Sequence, residues 1–375
     1  MNNIMEVIHQ FAIYGELENV KPFGSGHINS TFLSVWNQAG AKLRYIHQRI
    51  NEEVFVRPEQ VMENIERVTN HIRDNVSRAG LGDISRRTLT IIPARDGKLW
   101  ARDREGGWWR TYLFIEGSHT LELTASPADA RFLGESIARF QSQVASLGGK
   151  RLHETIPGFH DMEKRYLRFY EALSEDRCGR VKNVQPEISF LRENEERGAI
   201  LIRSLRNGTI PERICHNDAK INNILIDDAS SQALCVIDLD TVMPGTILFD
   251  LGDLIRTVTN RAAEDEKDLT KVEFDLAYFD ALLQGYLSGA LEFLVPAELA
   301  LLCEAGRSMT QIMGLRFLTD HLEGDHYFHT TRPDHNLDRC RTQIALIKFM
   351  DAEWEKAAAI AARLCESETS SRAAK

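Results

Sequence analysis

An α+β fold of two lobes, a small β-rich lobe followed by a large helical one, is what this 375-residue chain predicts. Three patterns carry that reading. Short aromatic or β-branched runs crowd the first 115 or so residues, helical periodicity takes over after Gly117, and a β-rich island at 213–237 interrupts the helices. In order, residues 31–36, 44–50, 88–92, 98–102 and 108–115 read as strands, several bounded by Gly, Pro or Asp. Between the second and third, Pro58 opens a helix whose Val61, Ile65, Val68 and Ile72 share one face. Ser126 before Pro127 caps a second helix, with Phe132, Leu133, Ile137, Phe140 and Val144 as its buried stripe. Val272, Leu276, Phe279, Leu283 and Tyr286 form a third such face, and Leu337, Ile344, Ile347 and Met350 a fourth. The expected boundaries are a small lobe at 1–116, a hinge near Glu116, a large lobe at 117–365 and a polar disordered tail at 366–375. The cleft of such a plan is the default site.

Composition narrows the function. A formal net charge of −10 with no basic run argues against a nucleic-acid partner, which needs Lys and Arg on phosphates. Six cysteines with no CxxC pair fit neither a disulfide framework nor a cysteine zinc site, so a reducing cytoplasm is the expected setting. The N-terminus lacks a basic start followed by an apolar stretch, and no window reaches the ~18 apolar residues of a membrane span. We therefore expect neither export nor a membrane.

The densest chemical signal is Ile214-Cys215-His216-Asn217-Asp218-Ala219-Lys220-Ile221-Asn222-Asn223, followed by an apolar strand and then Val236-Ile237-Asp238-Leu239-Asp240. An acid five residues before an amide sits in a loop, and a hairpin delivers a second acid. Phosphoryl transfer uses this set: a carboxylate to orient and deprotonate a hydroxyl, and an amide oxygen with a carboxylate as hard ligands for Mg²⁺. The spacing is that of the kinase HxDxxxxN loop. Each Asp or Asn alone would be a turn former; the ordered set between apolar strands favours catalysis. Elsewhere, Phe23-Gly24-Ser25-Gly26 precedes a strand, where backbone amides can approach phosphates or simply form a β-turn. Arg316 and Asp320 have ion-pair spacing on a helix. His321, His326, His329 and His335 with Asp320 and Asp325 are a dense ligand cluster, but Gly324 and Pro333 mark a loop, which favours surface or substrate-facing histidines over a metal. Gly148-Gly149-Lys150-Arg151 is not a Walker loop.

These residues resemble the aminoglycoside phosphotransferase and choline kinase superfamily, which shares the protein-kinase-like fold, and within it the N-acetylhexosamine 1-kinases. The likeness runs through residues 22–29, 45–51, the Pro58 helix, 316–320 and 336–339. It implies that Asp218 is the catalytic base, that His216 braces the loop, and that Asn223 and Asp238 bind Mg²⁺. Asp240 either touches a second metal or orders the turn before Pro244, and Asp250 caps free amides or braces the loop. Gly24, Ser25 and Gly26 would approach the ATP phosphates, although Asn29 stands near the third glycine's place. The strand lysine of kinases is missing; Gln48 or Arg49 stands there, with Arg49 taken as the cation and Glu63 or Glu66 as its helix partner. Phe114, Ile115 and Glu116 would read adenine through their backbone, and Arg316, Asp320 and Tyr327 would hydrogen-bond an amino sugar. The implied activity is ATP- and Mg²⁺-dependent phosphorylation of the C1 hydroxyl of an N-acetylhexosamine. The alternatives are another hydroxyl acceptor (aminoglycoside, amino alcohol, homoserine) or an inactive ATP-binding module. No acid run beyond 264–266 in the C-terminal half favours a cationic acceptor.

Overall fold

The computed structural model describes residues 2–24, 28–121 and 124–373. It is a two-lobed, kinase-like α+β fold, with an antiparallel sheet in the N-lobe and a mostly helical C-lobe. The chain divides into two units whose bounds differ from the expected ones. The first is Met1–His119, Leu147–Pro157 and Leu225–Met243; the second is Thr120–Ser146, Gly158–Ile224 and Pro244–Lys375.

In the first unit, strands β1 (Glu16–Pro22), β2 (Ser30–Gln38), β3 (Ala41–Arg49), β4 (Ala101–Arg102) and β5 (Trp108–Leu113) form one sheet in the order β1-β2-β3-β5-β4. Its β1 escapes sequence reading because only Leu17 and Val20 in Glu-Leu-Glu-Asn-Val-Lys-Pro are apolar, as befits a charged edge strand. Residues 88–92 do not form the expected strand. They meet β5 at one bridge, Ile91 to Tyr112, flanked by Ile92 N donating to Thr111 O at 2.8 Å. Only Ala101–Arg102 of the expected 98–102 strand is extended into the ladder. On one sheet face Trp36, Tyr45 and Trp109 pack with Ile4, Val7, Ile8 and Phe11 of the N-terminal segment. Helix α1 (Pro58–Arg78) buries the expected Val61, Ile65, Val68 and Ile72. The strands β6 (Ser118–His119), β7 (Ile224–Asp227) and β8 (Ala233–Val236) make a small second sheet.

His47 on β3 is fully buried, its ring nitrogens 2.7 Å from Ser34 Oγ and 2.8 Å from Thr111 Oγ1. Burial pushes its imidazole from the ordinary 6.5 down to about 3. The unfolded chain therefore takes the proton first, so this stabilisation is full above pH 6.5 and is lost as pH falls through that window, by ~1.4 kcal/mol per unit. Urea unfolding should show stability falling as pH drops from 7 toward 4, with a shallower fall in His47→Gln; an equal slope in the variant would refute the assignment.

The second unit is built on α2 (Pro127–Ala145), α3 (Met162–Glu175), α4 (Leu248–Val258), α5 (Leu276–Ala290), α6 (Leu302–Glu323), α7 (His335–Ala352) and α8 (Trp354–Ala373). Ser126 and Asp129 form a reciprocal capping box at the start of α2. Gly134 of α2 and Gly285 of α5 let the two helices approach until a Cβ on either would strike the other's backbone. Val272 precedes α5, whose start is capped by Asp275 donating no hydrogen but accepting from Ala277 and Tyr278 N. Residues 366–373, expected as disordered, continue α8. Its buried Ala357, Ala361 and Leu364 anchor the helix, and each further turn propagates from an existing one. Among the described residues no helix is long and apolar enough to cross a membrane.

Candidate active site

The acid-and-amide loop lies in the second unit, after the short strand Arg213–Cys215. Asn217 sits in the left-handed region at φ 63°, a conformation Asn tolerates better than most residues, and turns the chain sharply before Asp218. Asp250, in the first turn of α4 and fully buried, holds that turn: its carboxylate accepts from His216 N at 3.0 Å, Asn217 N at 2.7 Å and Gln141 Nε2 at 3.0 Å. Gln141 is in turn fixed by the Tyr286 hydroxyl at 2.8 Å. Burial pushes the Asp250 carboxyl up, while the surrounding amides and His216 oppose that shift. His216 is buried, packs edge-on against Phe140, and has Nδ1 3.3 Å from the Asp218 amide. Its contacts are with the loop and with the core of the second unit.

Asp218 is a fifth exposed at its side chain and accepts from Lys220 Nζ at 2.8 Å. Asn223 Nδ2 donates to Asp218 O at 2.9 Å and to its Oδ2 at 3.3 Å. With the nitrogen end of the amide spent on Asp218, the oxygen end is the hard ligand that Mg²⁺ chemistry asks for. Among the described residues no group of three His, Cys, Asp or Glu could hold a metal by itself. The Asn223 amide oxygen, in the second unit, and the Asp238 carboxylate, in the first, are each the kind of hard oxygen ligand that Mg²⁺ takes. Lys220, two residues beyond Asp218, was not singled out in the sequence; its spacing was the available signal.

In the first unit, strand register settles which residues share a face. Gln48 pairs with Arg110, whereas His47 pairs with Thr111 and Arg49 with Trp109. Side chains alternate, so Arg49 shares the face of His47 and Trp109. Its guanidinium lies 3.6 Å from Asp103 and 3.8 Å from Glu105, and neither Glu63 nor Glu66 is its partner. Arg49, the expected cation, is thus on the face opposite Gln48 and Arg110. The buried cation is Arg110, which donates from Nε to Gln48 Oε1 at 3.0 Å and from Nη1 to Asp240 Oδ1. Burial lowers its pKa, but Asp240 and other acids outweigh that and the net direction is up. On α1 the inward residue is Asn64, while Glu63 contacts His153 at 2.9 Å.

Other expected residues resolve differently. Gly24 adopts φ 78°, and Ser25 and Gly26 lie outside the described residues. At the expected hinge, the Ile115 carbonyl accepts from Ser118 Oγ at 2.7 Å, Glu116 O accepts from Arg86 at 3.0 Å, and the Glu116 carboxylate pairs with Arg44. Phe114 stacks edge-on with Phe23 and lies under Arg44. Asp320 is buried and does not pair with Arg316. Its carboxylate accepts from the amides of His326, Tyr327 and Phe328 and from Asn336 Nδ2, all at 2.8–3.0 Å, so it folds the 326–328 loop and leaves little capacity for a sugar. Arg316 lies over Phe159, Tyr327 and Phe328, with Nη2 3.3 Å from the exposed Tyr327 hydroxyl. Of the histidines expected at the surface or facing substrate, His321 is buried within α6 and His335 is buried at the start of α7, 3.0 Å from Asp265, so neither is a surface histidine.

A bracketed acid-and-amide loop on a helical unit, with a two-acid turn on a sheet unit, defines the class of small-molecule phosphotransferases with a kinase-like fold. The chain belongs to the phosphotransferase enzyme family, which it matches over residues 19–294. Similar solved structures include an aminoglycoside phosphotransferase from Alicyclobacillus acidocaldarius, with TM-score 0.57, 12% identity and coverage of 97% of this chain and 96% of that one. A choline kinase from Cryptosporidium parvum follows at TM-score 0.56, 14% identity and 91% of each chain. A spectinomycin phosphotransferase bound to ADP and spectinomycin has TM-score 0.55, 11% identity and coverage of 89% of this chain and 93% of that one.

Proposed function

We propose that the protein is an ATP- and Mg²⁺-dependent kinase that phosphorylates the C1 hydroxyl of an N-acetylhexosamine, giving the sugar 1-phosphate. The observation that carries phosphoryl transfer is the clamped loop: Asp250 holds the His216 and Asn217 amides, and Asn223 holds Asp218 from the other side. Asp218 receives the acceptor hydroxyl and takes its proton as the bond to phosphorus forms, so the protein acts mainly by positioning and electrostatics. Asn223 and Asp238 are the ligands for Mg²⁺, which when bound neutralises phosphate charge. The ADP held by the similar spectinomycin phosphotransferase supports a nucleotide donor.

For the acceptor, the cations beside the loop are informative. His160 Nε2 is 2.9 Å from Asn217 O, its ring stacks on Phe159, and Phe159 lies under Arg316. Arg165 donates to the Phe159 carbonyl at 2.9 Å and, among the described residues, has no carboxylate in hydrogen-bonding contact. Burial, then repulsion from Arg316, pushes Arg165 down to about 10. Two guanidiniums in one patch disfavour a cationic aminoglycoside, choline or ethanolamine, and favour an acceptor rich in hydroxyl and carbonyl oxygens. An ATP-consumption assay across N-acetylglucosamine, N-acetylgalactosamine, glucose, choline, homoserine and kanamycin, with the phosphate located by NMR, tests both parts. Turnover on the N-acetylated sugars at C1 is expected, with kanamycin and choline inactive. Turnover confined to a cationic acceptor would overturn the sugar reading.

A further inference from the structure

The pair Arg110 and Asp240 is the most deeply buried ion pair of the first unit, with side chains 1% and 3% exposed. Asp240 Oδ1 accepts from Arg110, Oδ2 accepts from Asn29 Nδ2 at 2.7 Å, and the Asp240 carbonyl accepts from the Thr155 hydroxyl at 2.7 Å. Asn29 is held independently, its Oδ1 accepting from Asn51 N at 3.0 Å. Gln48, directly across the ladder, orients the guanidinium. One residue past the turn, Val242 O accepts from the buried Asn64 at 3.0 Å. These contacts surround a short 3₁₀ turn, Leu239–Thr241, entered through Asp238 at φ 60°. A left-handed Asp is unfavourable by itself and persists only where its surroundings dictate it.

We propose that Asp240 is the counter-ion of Arg110 rather than a cation ligand, and that Arg110 is a positioning residue that, through Asp240, holds the 238–241 turn in the conformation presenting Asp238. This rests on the kinase reading for the role of Asp238. It follows that the strand lysine of kinases has no one-for-one replacement here. The cation has moved to the neighbouring strand and is spent on protein, and a second cation brought to Asp240 would meet the Arg110 charge in a site sealed from water.

Mn²⁺ binding with ADP, followed by electron paramagnetic resonance of the free ion, tests this without turnover. Arg110→Met orphans a buried carboxylate, and binding should weaken ~10- to 100-fold; Arg110→Met with Asp240→Leu removes both charges and should return to within ~5-fold of native. A double variant that melts cooperatively yet binds Mn²⁺ as poorly as Asp238→Ala would overturn the proposal. Should Arg110→Met not fold, Arg110→Met with Asp240→Leu decides alone: binding within ~5-fold of native supports a counter-ion, and a loss beyond that in a cooperatively melting protein identifies Asp240 as a ligand. Failure of the kinase reading looks different, since Asp238→Ala would then bind Mn²⁺ and ADP as well as native whatever the Asp240 variants do.

Discussion

Asp218→Asn should lower kcat by ~10²- to 10⁴-fold while nucleotide affinity stays near native. The substitution keeps shape and one acceptor oxygen but removes the group that we propose takes the proton, so the loss falls on the chemical step. Lys220 and Asn223, which both contact the carboxylate, still find an oxygen there, and the loop should remain folded. Steady-state kinetics with ADP affinity measured separately distinguishes this from a binding defect. An Asn variant with native kcat would show that another group performs the proton transfer.

Asp250→Ala should be the most damaging change that touches no reactant. It takes the Asp250 acceptor from the His216 and Asn217 amides in a dry interior and leaves Gln141 Nε2 only its longer bond to Ile247 O at 3.3 Å. At ~1–3 kcal/mol for each buried donor, offset by partial relaxation, a loss of ~3–5 kcal/mol is expected. The loop would also lose its turn at Asn217, and a displacement of ~1 Å at Asp218 is enough for a ~10²-fold loss in kcat. Asp250→Asn separates the effects: it keeps one acceptor but presents an amide N–H to a backbone N–H, so it should recover much of the stability and less of the rate. Thermal melts and kcat on the same preparations check both. A stable Ala variant with native kcat would remove Asp250 from the positioning apparatus.

The acid-and-amide loop was legible because its parts are local. Asp218, Lys220 and Asn223 are within five residues of one another, and a hairpin-length step brings Asp238, so spacing alone constrains their chemistry. The buried stripes of α1 and α2 were equally legible, since periodicity reports a face directly. Asp250 was readable as a brace through its place at a helix start, although its partners were not.

What sequence alone determined about this protein is the two-lobed α+β plan, the helical faces and the acid-and-amide loop, all properties of residues a few positions apart. Tertiary structure alone decided which cation is buried, because a strand's side chains alternate and a one-residue choice of register separates Gln48 from Arg49. It decided that Asp240 faces Arg110, a contact 130 residues apart in the chain, and that Asp320 is consumed by its own loop. It also assigned residues 225–243, with Asp238 and Asp240, to the unit begun by the N-terminal sheet. Such pairings depend on which surfaces meet when the core closes, and a linear pattern does not encode that meeting until packing selects one partner for each buried charge.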